Sequence, residues 1–316
     1  MRIIFMGTPD FAVPSLEALL KSDDQVVGVV TQPDRPKGRG QEVIPSPVKL
    51  LCQREGIPLL QPLKMKDPAF LEALRQWKPD VITVTAFGRI LPPAILTLPP
   101  RGCINVHGSL LPKYRGAGPI QWAVIRGERE TGITTMLMDE GMDTGDMLLQ
   151  EKVAIHPDDT ADALAVRLAD VGGRLLIETL RRLKAGTLTP QPQDHAQATM
   201  APLLTKEDGL IDWTLTAMEI GHRVRGLSPW PGAYTQVNGE RWVIWRVAVE
   251  EESQKAAPGT VAKVTKDRID VATGGGTIQL IEIQPSNSRR MTVAQYLAGH
   301  RLTEGTNLQG KSTPQG

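Results

Sequence analysis

The sequence predicts an α/β domain built on a parallel sheet, followed by a smaller all-β domain that closes as an antiparallel barrel or sandwich. Three observations carry that expectation. In roughly the first 185 residues short apolar runs alternate with helical patterns, the order that βαβ units produce. After about Lys206 the helical period gives way to short strand-like runs separated by turn residues. Between the two, "GTLTPQPQDHAQATMAP" is polar and proline-bearing and reads as a linker. The expected boundaries are residues 1–189 for the first domain, 190–205 for the linker and 206–316 for the second domain.

Length and composition agree. A chain of 316 residues, 41% of them apolar, can fill two cores. Its 36 basic and 35 acidic residues leave a net charge of +1, so nothing draws the whole surface to nucleic acid or to an anionic membrane, and such a partner must meet a local patch. Cys52 and Cys103 lack the spacing of a metal site or a disulfide framework and are expected as buried, reduced thiols. "MRIIFMG" is too short for a signal-peptide core, and no apolar run approaches the roughly 20 residues of a membrane span, so a cytoplasmic protein is expected.

The elements follow in order. "RIIFMG" and "QVVGVVTQ" read as strands flanking the helix "PSLEALLKS". "SPVKLLCQREG" begins with a capping Ser46 before Pro47 and stops at Gly56, and "DPAFLEALRQWKP" repeats the start with Asp67 before Pro68. The continuous apolar run in "DVITVTAFG" fits a strand covered on both faces. "CINVHGSLLPKYRGAGPIQWA", residues 103–123, begins as another strand and breaks one residue after its histidine. From about Asp159 to Lys184, Ala163, Leu164, Val166, Leu168, Leu175, Leu176 and Leu180 predict a long helix interrupted at Gly172-Gly173. In the second half, "AYTQVNGERWVIWRV" places Asn238-Gly239 between two strands, a type I′ hairpin signal. "VAKVTKDRIDVATGGGTIQLIEI" adds further strands, with "GGG" as a turn and not a phosphate cradle, and the tail "GTNLQGKSTPQG" reads as loose.

Chemistry concentrates at the break after residue 107. Asn105 and His107 flank Val106, so in a strand both polar side chains point to one face, at the carboxyl end where parallel sheets collect ligands. If buried, both need polar partners. "MDEGMDTGDML" supplies carboxylates, Asp139, Glu140, Asp143 and Asp146, on a glycine-shaped loop. A calcium loop does not fit: Gly141 stands where the third-position oxygen ligand belongs, and no late glutamate has the required spacing. No metal is expected. Asn, His and Asp can together perform acyl transfer without a covalent nucleophile, the amide donating to an oxyanion, the imidazole moving a proton, and the carboxylate holding the imidazole's tautomer and charge. Ser109 lacks the G-x-S-x-G elbow of a serine hydrolase, and "MGTPDFA" has one glycine where a dinucleotide fingerprint has three.

"MGTPDFAVPSLEAL", "TQPDRPKGRG", "INVHGSLLPKYRGAGPIQWA", "GMDTGDML", "KEDGLIDW" and "VRGLSPWPGAY" together resemble the bacterial-type methionyl-tRNA formyltransferases, in order and over nearly the whole chain. The central pieces, N-V-H-x-S-L-L-P and D-T-G-D, are shared more widely among enzymes that use 10-formyltetrahydrofolate; the basic loop and the second-domain pieces narrow the likeness to the tRNA enzymes. The resemblance implies a Rossmann-like formyltransferase domain with a parallel sheet, then a small OB-like β-barrel. It implies catalytic places for Asn105, His107 and Asp143, and folate-contacting places for Ser109, Leu110, Leu111 and Pro112. It also implies a tRNA-binding loop carrying Arg35, Lys37 and Arg39, a formyl donor in 10-formyltetrahydrofolate, an acceptor in initiator Met-tRNA, and no membrane or obligate protein partner. The alternatives are a formyltransferase acting on a small amine and a non-catalytic RNA-binding protein. The chain departs from the family pattern at Gln41-Glu42, where relatives commonly carry further basic residues, and at Leu203, where many have lysine.

Overall fold

Ile3, Ile4, Phe5 and Met6 are fully buried at the centre of β1 (Arg2–Gly7), and around this strand the computed structural model, which describes residues 1–37, 42–252 and 255–310, builds its first sheet. The chain then runs through α1 (Val13–Leu20), β2 (Gln25–Val30), a small antiparallel ribbon of β3 (Arg35–Lys37) and β4 (Glu42–Ile44), α2 (Pro47–Glu55), β5 (Leu59–Leu60) and α3 (Pro68–Gln76). It continues with β6 (Val81–Thr85), α4 (Pro93–Leu96), β7 (Cys103–His107), α5 (Pro119–Ile125), β8 (Glu130–Leu137), β9 (Met147–Ala154) and α6 (Ala161–Ala185). The sheet order is β5-β2-β1-β6-β7-β8-β9, so the chain winds one way from β1 to β5 and the other way from β6, with a topological switch between β1 and β6.

The expected caps are present. The Ser46 side chain accepts from Lys49 N, Asp67 accepts from Ala69 N, and Gly56 closes α2 in a left-handed conformation. The expected parallel sheet is present from β5 to β7 and is extended by two antiparallel strands, β8 against β7 and β9 against β8; the loop 138–146 between β8 and β9 is too short for the crossover that a parallel connection requires. One expectation is corrected. Gly172 and Gly173 do not interrupt α6, which runs unbroken. A Cβ at 172 would stand 3.0 Å from Val106 Cγ1, and one at 173 would stand 2.8 Å from Pro14 O, so these glycines let the helix lie close to β7 and α1.

By their contacts, Met1–Pro119, Glu130–Ala154 and Ala165–Pro202 form one compact unit, and Ile120–Arg129, Ile155–Leu164 and Leu203–Gly316 form a second. In the second, α7 (Ala217–Gly226) opens with a capping box between Thr216 and Glu219. Then come β10 (Ala233–Val237), β11 (Glu240–Glu250), β12 (Val261–Val264), β13 (Ile269–Ala272), β14 (Thr277–Pro285), β15 (Met291–Thr292), α8 (Val293–Leu297) and β16 (Leu308–Gln309). The antiparallel sheet has the order β12-β13-β14-β11-β10-β16, with β15 beside β14. It curls as a half-barrel, and Thr260 and Asn307, next to its two edge strands, form an isolated bridge. Trp213, Trp242, Ile244, Ile278 and Leu280 fill its core.

Asn238 and Gly239 take φ of +50° and +82°, as a type I′ turn requires. The three glycines after Thr273 are a turn between β13 and β14, with Gly274 N bonded to Trp213 O and Leu215 O. The tail is corrected in part: Leu308 is buried and β16 pairs with β10, while residues 311–316 lie outside the described residues. Both cysteines are free and buried, and burial pushes the Cys52 thiol up to about 11 and the Cys103 thiol up to about 12. Among the described residues no helix is long and apolar enough to cross a membrane.

Candidate active site

β7 turns Val106 toward Gly172 of α6, and strand alternation therefore directs Asn105 and His107 to the opposite face. His107 is 5% exposed and its Nε2 lies 2.9 Å from Tyr114 O. A carbonyl only accepts, so Nε2 carries a proton, and Nδ1 is the nitrogen turned to Asp143. Nδ1 lies 3.7 Å from Asp143 Oδ2. The sequence reading gave Asp143 both the tautomer and the charge of the imidazole; the tautomer is instead fixed by a main-chain carbonyl, and Asp143 faces the nitrogen that can receive a proton.

Asp143 adopts φ +53°, a left-handed conformation uncommon outside glycine. Its Oδ2 accepts from Gly116 N at 2.8 Å, and Asn105 Nδ2 lies 3.5 Å from its Oδ1. Gly116 has φ +114°, and a Cβ there would stand 2.7 Å from Ala201 O, so the approach that delivers its amide to the carboxylate requires glycine. Asp139 is used differently: it accepts from Gly141 N at 3.0 Å and from Thr144 Oγ1 at 2.7 Å, closing the loop on itself. No group of three or more His, Cys, Asp or Glu that could hold a metal ion occurs among the described residues.

The turn after His107 is locked from β8 and β9. Ser109 Oγ donates to Lys113 O at 2.6 Å, Thr134 Oγ1 donates to Ser109 O at 2.7 Å and accepts from Leu111 N at 3.1 Å, and Gln150 Nε2 donates to Leu111 O at 2.8 Å. Ser109 thus spends its hydroxyl inside the turn, and neither ring nitrogen of His107 is engaged by it. Ser109 and Leu111 are buried, whereas Leu110 and Pro112 are half-buried.

The stretch read as a linker is packed. Met147 and Gln191 exchange backbone bonds at 2.9 and 2.8 Å, Arg115 N donates to Thr199 O at 2.9 Å, and Ala201 N donates to Arg115 O at 2.7 Å. Gln193, which is buried, donates to Asp143 O at 2.9 Å and to Gly145 O at 2.7 Å. Tyr114, Arg115, Thr134, Gln150 and Gln193 all support the site and were missed. Their contacts run mainly through main-chain carbonyls and amides, which leave no periodic signal; only the glycine-flanked "KYRGAG" hinted at close packing.

The basic loop follows β2, three places from β7 in the order of the sheet. Arg35 is exposed on β3, which pairs with β4, so the loop rises from a two-stranded ribbon. Lys49 binds Asp34 and donates to Gln61 Oε1 at 2.9 Å, while Gln61 Nε2 reaches Asp34 Oδ1 at 2.8 Å, anchoring the ribbon's root. Arg39 and the side chain of Lys37 lie outside the described residues.

The family profile described as formyl transferase matches residues 1–180, and that described as formyl transferase, C-terminal domain, matches residues 203–301. The methionyl-tRNA formyltransferase of Desulfotalea psychrophila is 53% identical over 309 residues, covering 98% of this chain and 96% of that protein. The chain belongs to the methionyl-tRNA formyltransferase family. A second member, from Caldanaerobacter subterraneus subsp. tengcongensis, is 52% identical over 310 residues, covering 98% of this chain and 100% of the relative. The fold is also that of HypX from Aquifex aeolicus, solved in complex with tetrahydrofolic acid: the TM-score is 0.61 at 20% identity over 94% of this chain, which spans 47% of the length of HypX.

Proposed function

We propose that this chain transfers the formyl group of 10-formyltetrahydrofolate to the α-amine of methionyl initiator tRNA, supplying N-formylmethionyl-tRNA for translation initiation in the cytoplasm. The observation that carries this reading is the convergence of Asn105, His107 and Asp143 at the end of β7, in a chain about half identical to methionyl-tRNA formyltransferases along its length. A folate-derived donor is supported by the tetrahydrofolic acid bound to HypX, which shares the fold.

The residues divide the work. Asn105 donates from Nδ2 to the oxygen that gains charge as the amine adds to the formyl carbon. His107, with Nε2 held by Tyr114 O, takes at Nδ1 the proton released by the amine and passes it to N10 of tetrahydrofolate, which leaves as the bond between N10 and the formyl carbon breaks, and Asp143 balances the imidazolium in between. The attacking group is the substrate's own amine, consistent with Ser109 being occupied within its turn. Leu110 and Pro112, the half-buried members of that turn, present the folate-contacting surface, with Ser109 and Leu111 shaping it from beneath. Arg35, Lys37 and Arg39, with the second unit, hold the tRNA through its phosphates.

The test is formylation itself. Incubated with 10-formyltetrahydrofolate and either initiator or elongator Met-tRNA, the protein should yield N-formylmethionine on the initiator. Formylation of a small amine with neither tRNA modified would transfer the chain to the small-amine enzymes.

A further inference from the structure

Arg115 is 6% exposed, yet among the described residues no carboxylate lies within ion-pair distance of it. Its Nε and Nη2 donate to Gln193 Oε1 at 3.0 and 2.7 Å, and Nη2 lies 3.2 Å from His195 Nδ1. Burying a guanidinium against a neutral amide is an expensive way to hold a fold, since an acidic partner would offset far more of the lost hydration. The amide does something that an acid could not.

Gln193 faces donors on one side and acceptors on the other. A guanidinium has only N–H groups to offer, so the atom toward Arg115 is Oε1; Nε2 is then directed to the carbonyls of Asp143 and Gly145, which only accept. Turning the amide over would set N–H against N–H and oxygen against oxygen. The two carbonyls bracket the turn in which Asp143 holds its left-handed φ of +53°, a conformation that persists only where the surroundings impose it. Arg115 also acts through its main chain: its amide and carbonyl pair with residues 199 and 201, and the next amide, Gly116 N, is the one bonded to the Asp143 carboxylate.

We infer that Arg115 and Gln193 are positioning residues that set the Asp143 carboxylate for proton transfer at His107, Gln193 by gripping the Asp143 main chain and Arg115 by orienting the Gln193 amide. This rests on the catalytic reading of Asp143 under the proposed function.

The experiment is a double-mutant cycle around Gln193→Glu in the full-length protein. Glutamate keeps the volume and the acceptor for Arg115; what it loses is the pair of N–H donors, so the substitution removes the grip on the Asp143 and Gly145 carbonyls and leaves the contact with Arg115. The expected result is a fall in kcat of about 10²-fold, the usual consequence of a catalytic group displaced by about an ångström, with KM for tRNA and folate close to wild type. In an Asp143→Ala background the same substitution should change kcat by no more than about twofold, because residues acting as one unit are non-additive. Wild-type kcat in Q193E, or an equal fall in both backgrounds, would overturn the inference. Near-normal turnover of Asp143→Ala alone would instead overturn the catalytic reading on which it rests. Should Q193E not fold, Gln193→Met, uncharged and of similar volume, removes the two donors together with the acceptor for Arg115, and the comparison between the wild-type and Asp143→Ala backgrounds is read in the same way.

Discussion

The acidic loop at residues 138–146 and the basic ribbon of β3 and β4 are made from like materials, charged side chains spaced by glycine or proline, and they use them in opposite ways. In the acidic loop Asp139 is consumed by Gly141 N and Thr144 Oγ1, and Asp143 is gripped by Gly116 N and, through its main chain, by Gln193. In the ribbon the order is in the backbone pairing and in the Asp34, Lys49 and Gln61 cluster at its root, while Arg35 stands exposed. Under the proposed function the difference follows from what each charge has to do. A group that meets a developing charge must already sit at hydrogen-bonding distance, because reorganisation during the reaction is what catalysis avoids. A group that attracts a polyanion needs only to be displayed, since Coulombic attraction acts over several ångströms and phosphates repeat along the strand.

The largest effect should come from breaking the fixed loop. Asp143→Ala and His107→Ala are each expected to lower kcat by about 10²–10⁴-fold, measured by single-turnover formylation, with tRNA affinity nearly unchanged. Asn105→Ala should cost about 10²–10³-fold in kcat if its amide is the dominant oxyanion donor. A loss of folding in place of these rate effects would remove the distinction between the two loops.

Breaking the displayed loop should look different. Replacing Arg35, Lys37 and Arg39 together should lower the salt dependence of tRNA binding by about 0.7–0.9 for each phosphate that is no longer neutralised, with thermal stability unchanged. Turnover should fall on initiator tRNA and stay intact on a minimal aminoacyl substrate. An equal fall on both would assign the ribbon to the folate site or the fold.

The smallest effect sharpens the baseline, using a carboxylate outside both loops. Asp24 accepts from the N-terminal ammonium at 2.6 Å and from Lys184 at 3.0 Å. Burial raises its pKa, but these bonds and charges outweigh burial and hold it below the usual carboxylate range. A depressed folded value means that the stabilisation is fully present above the unfolded pKa and is lost as pH falls through the folded one. Urea midpoints of wild type and Asp24→Asn should therefore differ at pH 7 and converge as the pH is lowered through the acidic range. A gap that persists at low pH would mean that Asp24 acts through packing.

Much of the site was legible because its signals are local. Asn105 and His107 declare themselves by a spacing of two, the acidic loop by its glycine-rich setting, within which the family resemblance singles out Asp143, and Ser46, Asp67 and Asn238 by rules that depend on immediate neighbours. What escaped depends on partners distant in sequence. Tyr114 fixes the histidine tautomer through a carbonyl that every residue possesses. Gln193 grips a loop 50 positions away from within a stretch whose composition reads as a tether. The glycines of α6 look like helix breakers until Val106 and Pro14 are seen against them. The strands β8 and β9 escaped because neither ETGITTML nor MLLQEKVA is a continuous apolar run, and the neighbours that make them strands lie far off in sequence.

The placement of the two thiols has a practical consequence. Cys52 on α2 and Cys103 on β7 both belong to the first unit, and the second unit contains no cysteine. With thiols pushed to about 11 and about 12, both are almost wholly protonated near neutrality, and burial withholds them from alkylating reagents. Alkylation of the native chain must then wait for the first unit to open, so the rate of iodoacetamide uptake clocks opening events there and is blind to those confined to the curled sheet. The chain carries its own means of timing one unit while the other stays silent, with no label added and no truncation needed.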